Sequence, residues 1–135
     1  MKIELAKSEV IHFVGIGGIG MSGLALIMQS MGFKIQGSDI SNNKNIERLK
    51  KNKIKITIGH KKQNIIKATI LVISSAIKNS NPEIIEAKKK QLPIYKRGDM
   101  LGHITSLSKN ITVVGSHGKT TTTSLVAGIF SKTNL

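Results

Sequence analysis

The sequence contains no cysteine, which excludes a disulfide framework and any metal site built on thiolates. It also has no tryptophan, one tyrosine and three phenylalanines, so it offers few rings on which nucleic-acid bases could stack. No apolar run approaches the length needed to cross a bilayer, and the first residues lack the apolar stretch of a secretory signal. We therefore expect a cytoplasmic protein without membrane insertion.

Acidic residues are scarce as well, because seven Asp and Glu stand against 21 Lys and Arg, and the formal net charge is +14. A charge of this size attracts polyanions and leaves open a non-enzymatic module that binds nucleic acid. Most of the basic residues are lysines spread along the chain, without an arginine-rich patch or a helix-turn-helix pattern. We interpret them as a solvated surface and predict no nucleic-acid partner, although an anionic small substrate would gain from the same field.

What the sequence does contain is a regular alternation of short apolar runs with segments of helical periodicity. A length of 135 residues, 39% of them hydrophobic, suits one ordinary domain. We predict strands at residues 10–14, 33–36, 55–58, 69–73 and 92–95 and helices at residues 19–31, 42–51 and 81–90. Asn81 and Pro82 are typical of a helix start, as cap and first helical residue. The alternation predicts an α/β fold with a parallel sheet.

The pattern changes after residue 96. Residues 97–107 are expected to form a loop and a short helix, a further strand is predicted at 111–114, and a further helix at 118–130. We place a boundary between a first domain, residues 1–108, and the start of a second, residues 109–135. One strand and one helix cannot bury their faces alone, so we expect the second domain to be truncated.

A glycine-rich segment, Gly15-Ile16-Gly17-Gly18-Ile19-Gly20, directly follows the first predicted strand and opens a helix. In this G-x-G-x-x-G pattern Gly15 permits a tight turn, Gly17 lets the backbone approach a pyrophosphate, and Gly20 lets helix and strand pack closely. The helix N-terminus would offer its N–H groups to the phosphates. Asp39, at the end of the second strand, is placed to accept hydrogen bonds from a ribose diol. NAD and a UDP-sugar share this chemistry, so the segment alone leaves both open.

A second glycine segment follows the strand predicted at 111–114: Gly115-Ser116-His117-Gly118-Lys119-Thr120-Thr121. Its Gly-Lys-Thr core supplies backbone amides for phosphate oxygens, an ammonium for the β- and γ-phosphates and a hydroxyl for Mg²⁺. It departs from G-x-x-x-x-G-K-[ST], because Val113 stands at the first glycine position. The order of strand, glycine turn and helix predicts an ATP-phosphate loop. The alternative, an NAD-binding domain of a dehydrogenase or regulatory protein, would leave this second segment without a function.

This shortened loop resembles the ATP loop of the Mur ligase family. Residues 11–25, 72–77 and 97–101 resemble, in the same order, segments of the family's alanine-adding branch, and the resemblance covers about residues 10–131. Ser116 is a small departure, since the family commonly has Thr there. A branch that recycles whole peptides shares both loops, but the form Gly-Ile-Gly-Gly-Ile-Gly-Met-Ser-Gly favours the alanine-adding one. The resemblance implies a Rossmann-like domain followed by the first strand, P-loop and helix of a truncated ATPase domain.

The same resemblance implies an activity. Such enzymes are ATP-dependent, amide-forming ligases of peptidoglycan precursor synthesis, which join L-alanine to UDP-N-acetylmuramate through an acyl phosphate, with ATP and Mg²⁺ as cofactors. Lys119 and Thr120 would be the catalytic residues, Thr120 would bind Mg²⁺, and the ATP cradle would be Gly115, Ser116, His117, Gly118, Lys119, Thr120 and Thr121. The UDP-sugar site would comprise Gly15, Gly17, Gly18, Ile19, Gly20, Asp39, Ser74, Ser75 and Arg97. Catalysis by this chain alone is not expected, and the oligomeric state stays open.

Three histidines outside the two glycine segments are assigned without a ligand, and one of them, His103, is interpreted as a surface residue. His12 lies within the first predicted strand and is interpreted as a core histidine with satisfied hydrogen bonds. His60 follows the third predicted strand and is interpreted as a surface residue.

Overall fold

Five parallel strands form the single sheet of the computed structural model, which describes residues 3–115 and the side chains of residues 3–107. The strands are β1 (Val10–Val14), β2 (Lys34–Asp39), β3 (Lys55–Ile58), β4 (Ile70–Ile73) and β5 (Ile94–Lys96). The helices are α1 (Ile19–Ser30), α2 (Lys44–Lys51), α3 (Pro82–Lys89) and α4 (Arg97–Gly115), with a 3-10 helix at Lys62–Ile65. The strand order β3-β2-β1-β4-β5 is that of a Rossmann-like sheet, and the predicted α/β fold is confirmed.

The core lies on both faces of this sheet, because successive side chains of a strand point to opposite sides. Ile11 and Phe13 of β1 belong to the larger cluster, which also holds Ile46 of α2 and Met100 of α4. The smaller cluster, on the other face, joins β1 and β4 to the 3-10 helix and α3. Helices therefore cover both faces, as expected for a parallel sheet.

The sheet face that α3 covers carries several polar side chains, whereas the faces of a buried parallel sheet are normally apolar. The register pairs His12 with Gln36 and Val14 with Ser38, so the side chains of His12, Gln36 and Ser38 share that face. Polar groups buried in this way are costly unless they are hydrogen-bonded. Their partners come from the 3-10 helix and from α3, and this requirement fixes where both elements lie.

The predicted start of α3 is confirmed. Asn81 Oδ1 accepts a hydrogen bond from the backbone N–H of Glu83 at 2.8 Å, and Pro82 is the first helical residue. Helix α2 has a similar cap, since Asn43 Oδ1 accepts from the N–H of Ile46 at 2.8 Å. Only the start of α3 was predicted with its cap, whereas the helix predicted at 42–51 begins at Lys44.

Strand β2 extends three residues beyond the predicted end at residue 36. Gly37 stays in the sheet between Phe13 of β1 and Ile56 of β3. A Cβ at Gly37 would lie 2.5 Å from Ile16 Cδ1 and 2.8 Å from Phe13 O. The glycine is therefore a site of close packing inside the strand.

The strand predicted at 111–114 is wrong, because helix α4 continues through these residues to Gly115. β-branched residues favour strands through contacts with neighbouring strands. Within the described residues the sheet ends at β5 and offers this segment no partner, whereas a helix satisfies its own backbone groups. Helix α4 also runs through the boundary predicted between residues 108 and 109, and a second domain stays a prediction because residues 116–135 lie outside the described part.

The packing at Gly37 predicts a stability difference between two identical substitutions. Gly37→Ala should lower the free energy of unfolding by about 1–3 kcal/mol, because its methyl group would overlap Ile16. Gly23→Ala, in α1 with no atom within 4 Å of the added Cβ, should change it by less than about 1 kcal/mol, in the stabilising direction. Urea unfolding followed by far-ultraviolet circular dichroism measures both, and equal stabilities would contradict the packing assigned to Gly37.

Candidate functional site

A cavity of about 610 Å³ opens at the carboxyl ends of the strands. In an open parallel sheet ligands bind at this edge, where the connections after neighbouring strands diverge in opposite directions. The segments after β1, β2, β3 and β4 all contribute to its wall, through Gly15, Gly17 and Gly18, Asp39 and Ile40, His60, and residues between Ser74 and Pro82. The first glycine segment thus lies where its pattern predicted, at a concave surface.

Gly15 makes the tight turn that the pattern predicted. Its φ of 82° lies in the left-handed region, which favours glycine. The N–H groups of Gly15 and Ile16 both donate to the carbonyl of Ser38, at 2.9 and 3.0 Å. A Cβ on Gly15 would lie 3.3 Å from both Ile77 Cδ1 and Ser74 Oγ, so the turn is also closely packed.

Gly17 lines the cavity, and the structure gives a reason for the glycine that its sequence pattern did not predict. Its N–H donates to Asp39 Oδ2 at 2.7 Å, and its carbonyl accepts from the side-chain amides of Asn43 and Asn45. A Cβ there would lie 2.8 Å from Asp39 Oδ2 and 2.9 Å from Ile46 Cδ1. Side chains of the protein itself therefore approach Gly17 closely, and the predicted approach of a pyrophosphate to its backbone stays a prediction.

The N-terminus of α1 is the part of the loop that is open to a ligand. Gly18 is its cap residue, is exposed, and supplies no side chain to the first turn, which also contains no acidic residue. The first N–H groups of a helix have no partner within the helix, and they carry a partial positive charge. A Cβ at Gly18 would meet its nearest atom, Gly15 O, at 3.6 Å. This helix end fits a phosphate without rearrangement.

Asp39 is held at the cavity by two backbone hydrogen bonds. Its Oδ2 accepts from Gly17 and its Oδ1 accepts from Ile40 at 2.7 Å. A carboxylate has about four lone-pair positions, so each oxygen retains one for a ligand hydroxyl. The predicted contact with a ribose is compatible with this arrangement.

The remaining predicted residues divide between two neighbouring cavities and the surface. A second cavity of about 400 Å³ contains Ser75 and Arg97 and shares Ser74 and Ile77 with the first. Ile19 is 89% exposed and lines neither cavity.

Gly20 also differs from its predicted role as a helix–strand contact. A Cβ there would lie 3.0 Å from Arg97 Cδ and 3.1 Å from Arg97 Nε, so this glycine makes room for the arginine side chain. The structure therefore brings most of the predicted set to two adjoining cavities: Gly15, Gly17, Gly18, Asp39 and Ser74 at the first, and Ser74, Ser75 and Arg97 at the second.

Behind the first cavity lies a buried carboxylate that the sequence analysis missed. Glu83 of α3 is fully buried, and its Oε1 contacts His12 Nε2 at 2.5 Å and accepts from Ser38 Oγ at 2.8 Å. Its Oε2 contacts His60 Nδ1 at 3.1 Å and accepts from Asn64 Nδ2 at 2.8 Å. One carboxylate thus joins β1, β2, the segment after β3 and the 3-10 helix to α3.

The polar surroundings of Glu83 determine its ionisation. Burial on its own raises the pKa of a carboxyl group, but hydrogen bonds from His12, Asn64 and Ser38, together with electrostatic attraction to His12, outweigh it and lower the pKa of Glu83 to about 2. Gln36 Nε2 lies 2.8 Å from His12 Nδ1 and donates to the carbonyl of Asn64 at 3.0 Å, so Gln36 joins two of the partners of Glu83.

The predictions for His12 and His60 have different outcomes. His12 is a core histidine as predicted, with a side chain only 1% exposed. The surface assignment of His60 is wrong, because its side chain is 15% exposed, touches Glu83 and lines the first cavity. No local signal distinguished it, since a glycine and a histidine after a strand are also typical of an exposed turn.

The predicted ATP loop lies almost wholly outside the described residues. Gly115 is the last residue of α4, and Ser116, His117, Gly118, Lys119, Thr120 and Thr121 follow it. The ATP contacts, and the Mg²⁺ contact of Thr120, therefore stay predictions. Among the helices of residues 3–115, none is long and apolar enough to span a membrane.

The five-stranded parallel sheet, with a glycine turn after its first strand and a cavity at the carboxyl ends of its strands, defines a Rossmann-like α/β domain. Residues 10–109 match the sequence profile described as Mur ligase family, catalytic domain, and the chain belongs to the Mur ligase family.

Individual relatives agree with this assignment. The chain is 79% identical over 135 residues to the UDP-N-acetylmuramate–L-alanine ligase of Pelagibacter ubique, covering 100% of this chain and 29% of that protein. It is 51% identical over 132 residues to the ligase of the same name from Azorhizobium caulinodans, covering 98% of this chain and 28% of that protein. The crystal structure of the UDP-N-acetylmuramate–alanine ligase from Thermotoga maritima superimposes with a TM-score of 0.71 and 35% identity, over 73% of this chain and 23% of that one. The chain thus spans less than a third of the length of these relatives.

The pKa of Glu83 predicts an acid-dependent contribution to stability. Because its native pKa is about 2 against an ordinary value of 4.5, the unfolded chain binds the proton more readily. The contribution of the ionised group, roughly 3 kcal/mol, should be fully present above about pH 4.5 and lost as the pH falls towards about 2. The difference in unfolding free energy between the unmodified chain and Glu83→Gln should shrink over that range.

Chemical denaturation at a series of pH values measures this difference. Glu86→Gln is the matched control, because Glu86 lies on the same helix, 22% exposed, and makes only a 4.0 Å contact with Lys90. Its effect should stay small at every pH. A difference for Glu83→Gln that is constant from pH 2 to pH 6 would show that the carboxyl group titrates normally.

Proposed function

We propose that this chain is the UDP-sugar-binding part of an ATP-dependent ligase that joins L-alanine to UDP-N-acetylmuramate in peptidoglycan precursor synthesis. The observation that carries the proposal is the cavity at which the open N-terminus of α1 and the carboxylate of Asp39 meet. A diphosphate joined to a ribose requires these two groups side by side. The 79% identity to a ligase of that name supports the choice of a UDP-sugar over NAD.

The two cavities match the two halves of such a ligand. The diphosphate lies at Gly18, where the N–H groups of α1 are free, and the nucleoside lies towards Asp39 and Ile40. The sugar would extend towards the second cavity, which adjoins the first, since Ser74 and Ile77 line both. Lys96, Arg97 and Asp99 line that cavity, and the two basic side chains outweigh the one carboxylate, which favours an anionic substrate.

The chemical step would need the second glycine segment. ATP with Mg²⁺ would transfer its γ-phosphoryl group to the unreactive lactyl carboxylate, with release of ADP. The amine of L-alanine would then attack the acyl phosphate and displace phosphate, which leaves the amide. Lys119 would neutralise charge on the transferred group, and Thr120 would hold the metal ion. Because the chain spans 29% of the relative from Pelagibacter, we propose that by itself it binds the UDP-sugar without catalysing the reaction. The whole enzyme would act in the cytoplasm, where ATP is available.

A calorimetric titration with UDP-N-acetylmuramate, with NADH as the comparison ligand, tests the binding proposal. Saturable binding of the UDP-sugar and none of NADH is expected. Gly18→Ala should weaken that binding at least several-fold, because a methyl group would crowd the phosphate at the helix N-terminus while meeting no protein atom closer than 3.6 Å. Gly23→Ala, in the interior of the same helix, should leave the affinity unchanged.

Gly17 is unsuitable for this test, since any side chain there would displace Asp39 and Ile46. Binding of NADH without the UDP-sugar would replace the proposal with a dehydrogenase-type domain. If the unmodified chain and Gly18→Ala bound the UDP-sugar with equal affinity, the proposal that its phosphate lies at the N-terminus of α1 would be contradicted.

A further inference from the structure

The side chain of His60 stands at the nucleoside end of the first cavity. Its backbone neighbour Gly59 donates to the carbonyl of Asp39 at 2.7 Å, and Ser38, which precedes Asp39, has its Oγ 3.2 Å from His60 Nδ1. Both His60 and Asp39 line the cavity. These backbone and side-chain contacts hold the segment of His60 against the end of β2, on the wall of the cavity that Asp39 also lines.

The ring has a defined orientation, because Nδ1 faces two oxygen atoms. Glu83 Oε2 lies 3.1 Å from Nδ1, and Ser38 Oγ lies 3.2 Å from it while donating its own hydrogen to Glu83. An ionised carboxylate only accepts hydrogen bonds, so Nδ1 must carry the hydrogen. In the neutral ring Nε2 is then an acceptor, and it has no hydrogen-bond partner within residues 3–107.

Glu83 is itself immobilised by groups that do not reach the ligand. His12 and Asn64 each contact one of its oxygens from a different element, and no fully buried side-chain nitrogen or oxygen within the described residues lacks a partner. Rotation of the carboxylate would break several bonds at once. The protein therefore holds one tautomer and one orientation of the His60 ring at the cavity.

We propose that His60 recognises the nucleoside of the bound UDP-sugar, its Nε2 accepting a hydrogen bond from a ribose hydroxyl or from N3–H of the uracil ring, and that Glu83 is the residue that positions it. The inference rests on the proposed function and adds to it a determinant of nucleoside specificity. A ring with Nε2 as acceptor favours a ligand that offers a donor and disfavours one that offers another acceptor. A neutral acceptor left unpaired in the cavity weakens binding, which is how a site discriminates between ligands that differ by one donor.

UDP analogues that each lack one hydrogen-bond donor test this contact and identify which group of the nucleoside donates to His60. Calorimetry would compare UDP with 2′-deoxy-UDP, 3′-deoxy-UDP and the diphosphate of 3-methyluridine. For the unmodified chain, at least one analogue should bind about tenfold more weakly than UDP. In His60→Asn the side-chain amide lies near the former position of Nδ1 and can still donate to Glu83, but no group remains at the position of Nε2. The preference for UDP over that analogue should therefore fall to about twofold or less.

Two further variants separate recognition from folding. His60→Gln places an amide near the position of Nε2 and should recover part of the preference that His60→Asn loses. Glu83→Gln should also reduce the preference, because the positioning carboxylate is lost, whereas Glu86→Gln on the same helix should retain it. Thermal unfolding identifies the temperature at which each variant is folded, and the titrations are made below it.

Nitrogen NMR of the imidazole rings checks the tautomer independently. The expected spectrum of the unmodified chain has the hydrogen of neutral His60 on Nδ1, and a hydrogen on Nε2 would overturn the proposal. So would an analogue preference that is the same in the unmodified chain and in His60→Asn, while UDP binding itself stayed intact. Failure of the unmodified chain to bind UDP would instead contradict both the proposed function and this inference.

Discussion

The buried carboxylate of Glu83 is the constraint on which most of this structure depends. An ionised group without solvent is tolerated only when hydrogen bonds replace its hydration, and Glu83 obtains these from His12, Ser38, His60 and Asn64. Each donor belongs to a different segment, and Glu83 itself belongs to a fifth. The positions of β1, β2, the segment after β3, the 3-10 helix and α3 are therefore coupled, since displacing any one of them leaves a buried charge with an incomplete set of partners.

This coupling extends to the ligand site, because the same elements form the wall of the first cavity. Ser38 is followed directly by Asp39, His60 faces the cavity on one side and Glu83 on the other, and α3 begins at Asn81 and Pro82 in the cavity wall. Stability and binding geometry consequently share the same hydrogen bonds. A change behind the cavity, at a residue that no ligand touches, should alter what the cavity recognises.

The glycines illustrate how one sequence pattern serves several physical requirements. Gly15 has a positive φ, whereas Gly17 and Gly20 leave room for side chains of the protein itself, Asp39 and Arg97. Among the four glycines of the pattern, Gly18 is the one whose added Cβ would meet no protein atom closer than 3.6 Å, and it is exposed at the N-terminus of α1. The spacing of the pattern predicted the location of the loop, but the reason for each glycine depends on residues far away in the chain.

Sequence alone determined the features that depend on neighbouring residues: the bounds of β1 and β3, the cap at Asn81, the glycine turn after β1, and the alternation that defines an α/β fold. Tertiary structure decided the rest. The partners of Glu83 lie between 19 and 71 residues away, so no local pattern reports them, and His60 could be recognised only once the sheet had brought β3 beside β2. Residues 111–114 have the composition of a strand but continue a helix, because a strand requires a neighbour for its backbone hydrogen bonds, whereas a helix supplies them within its own segment.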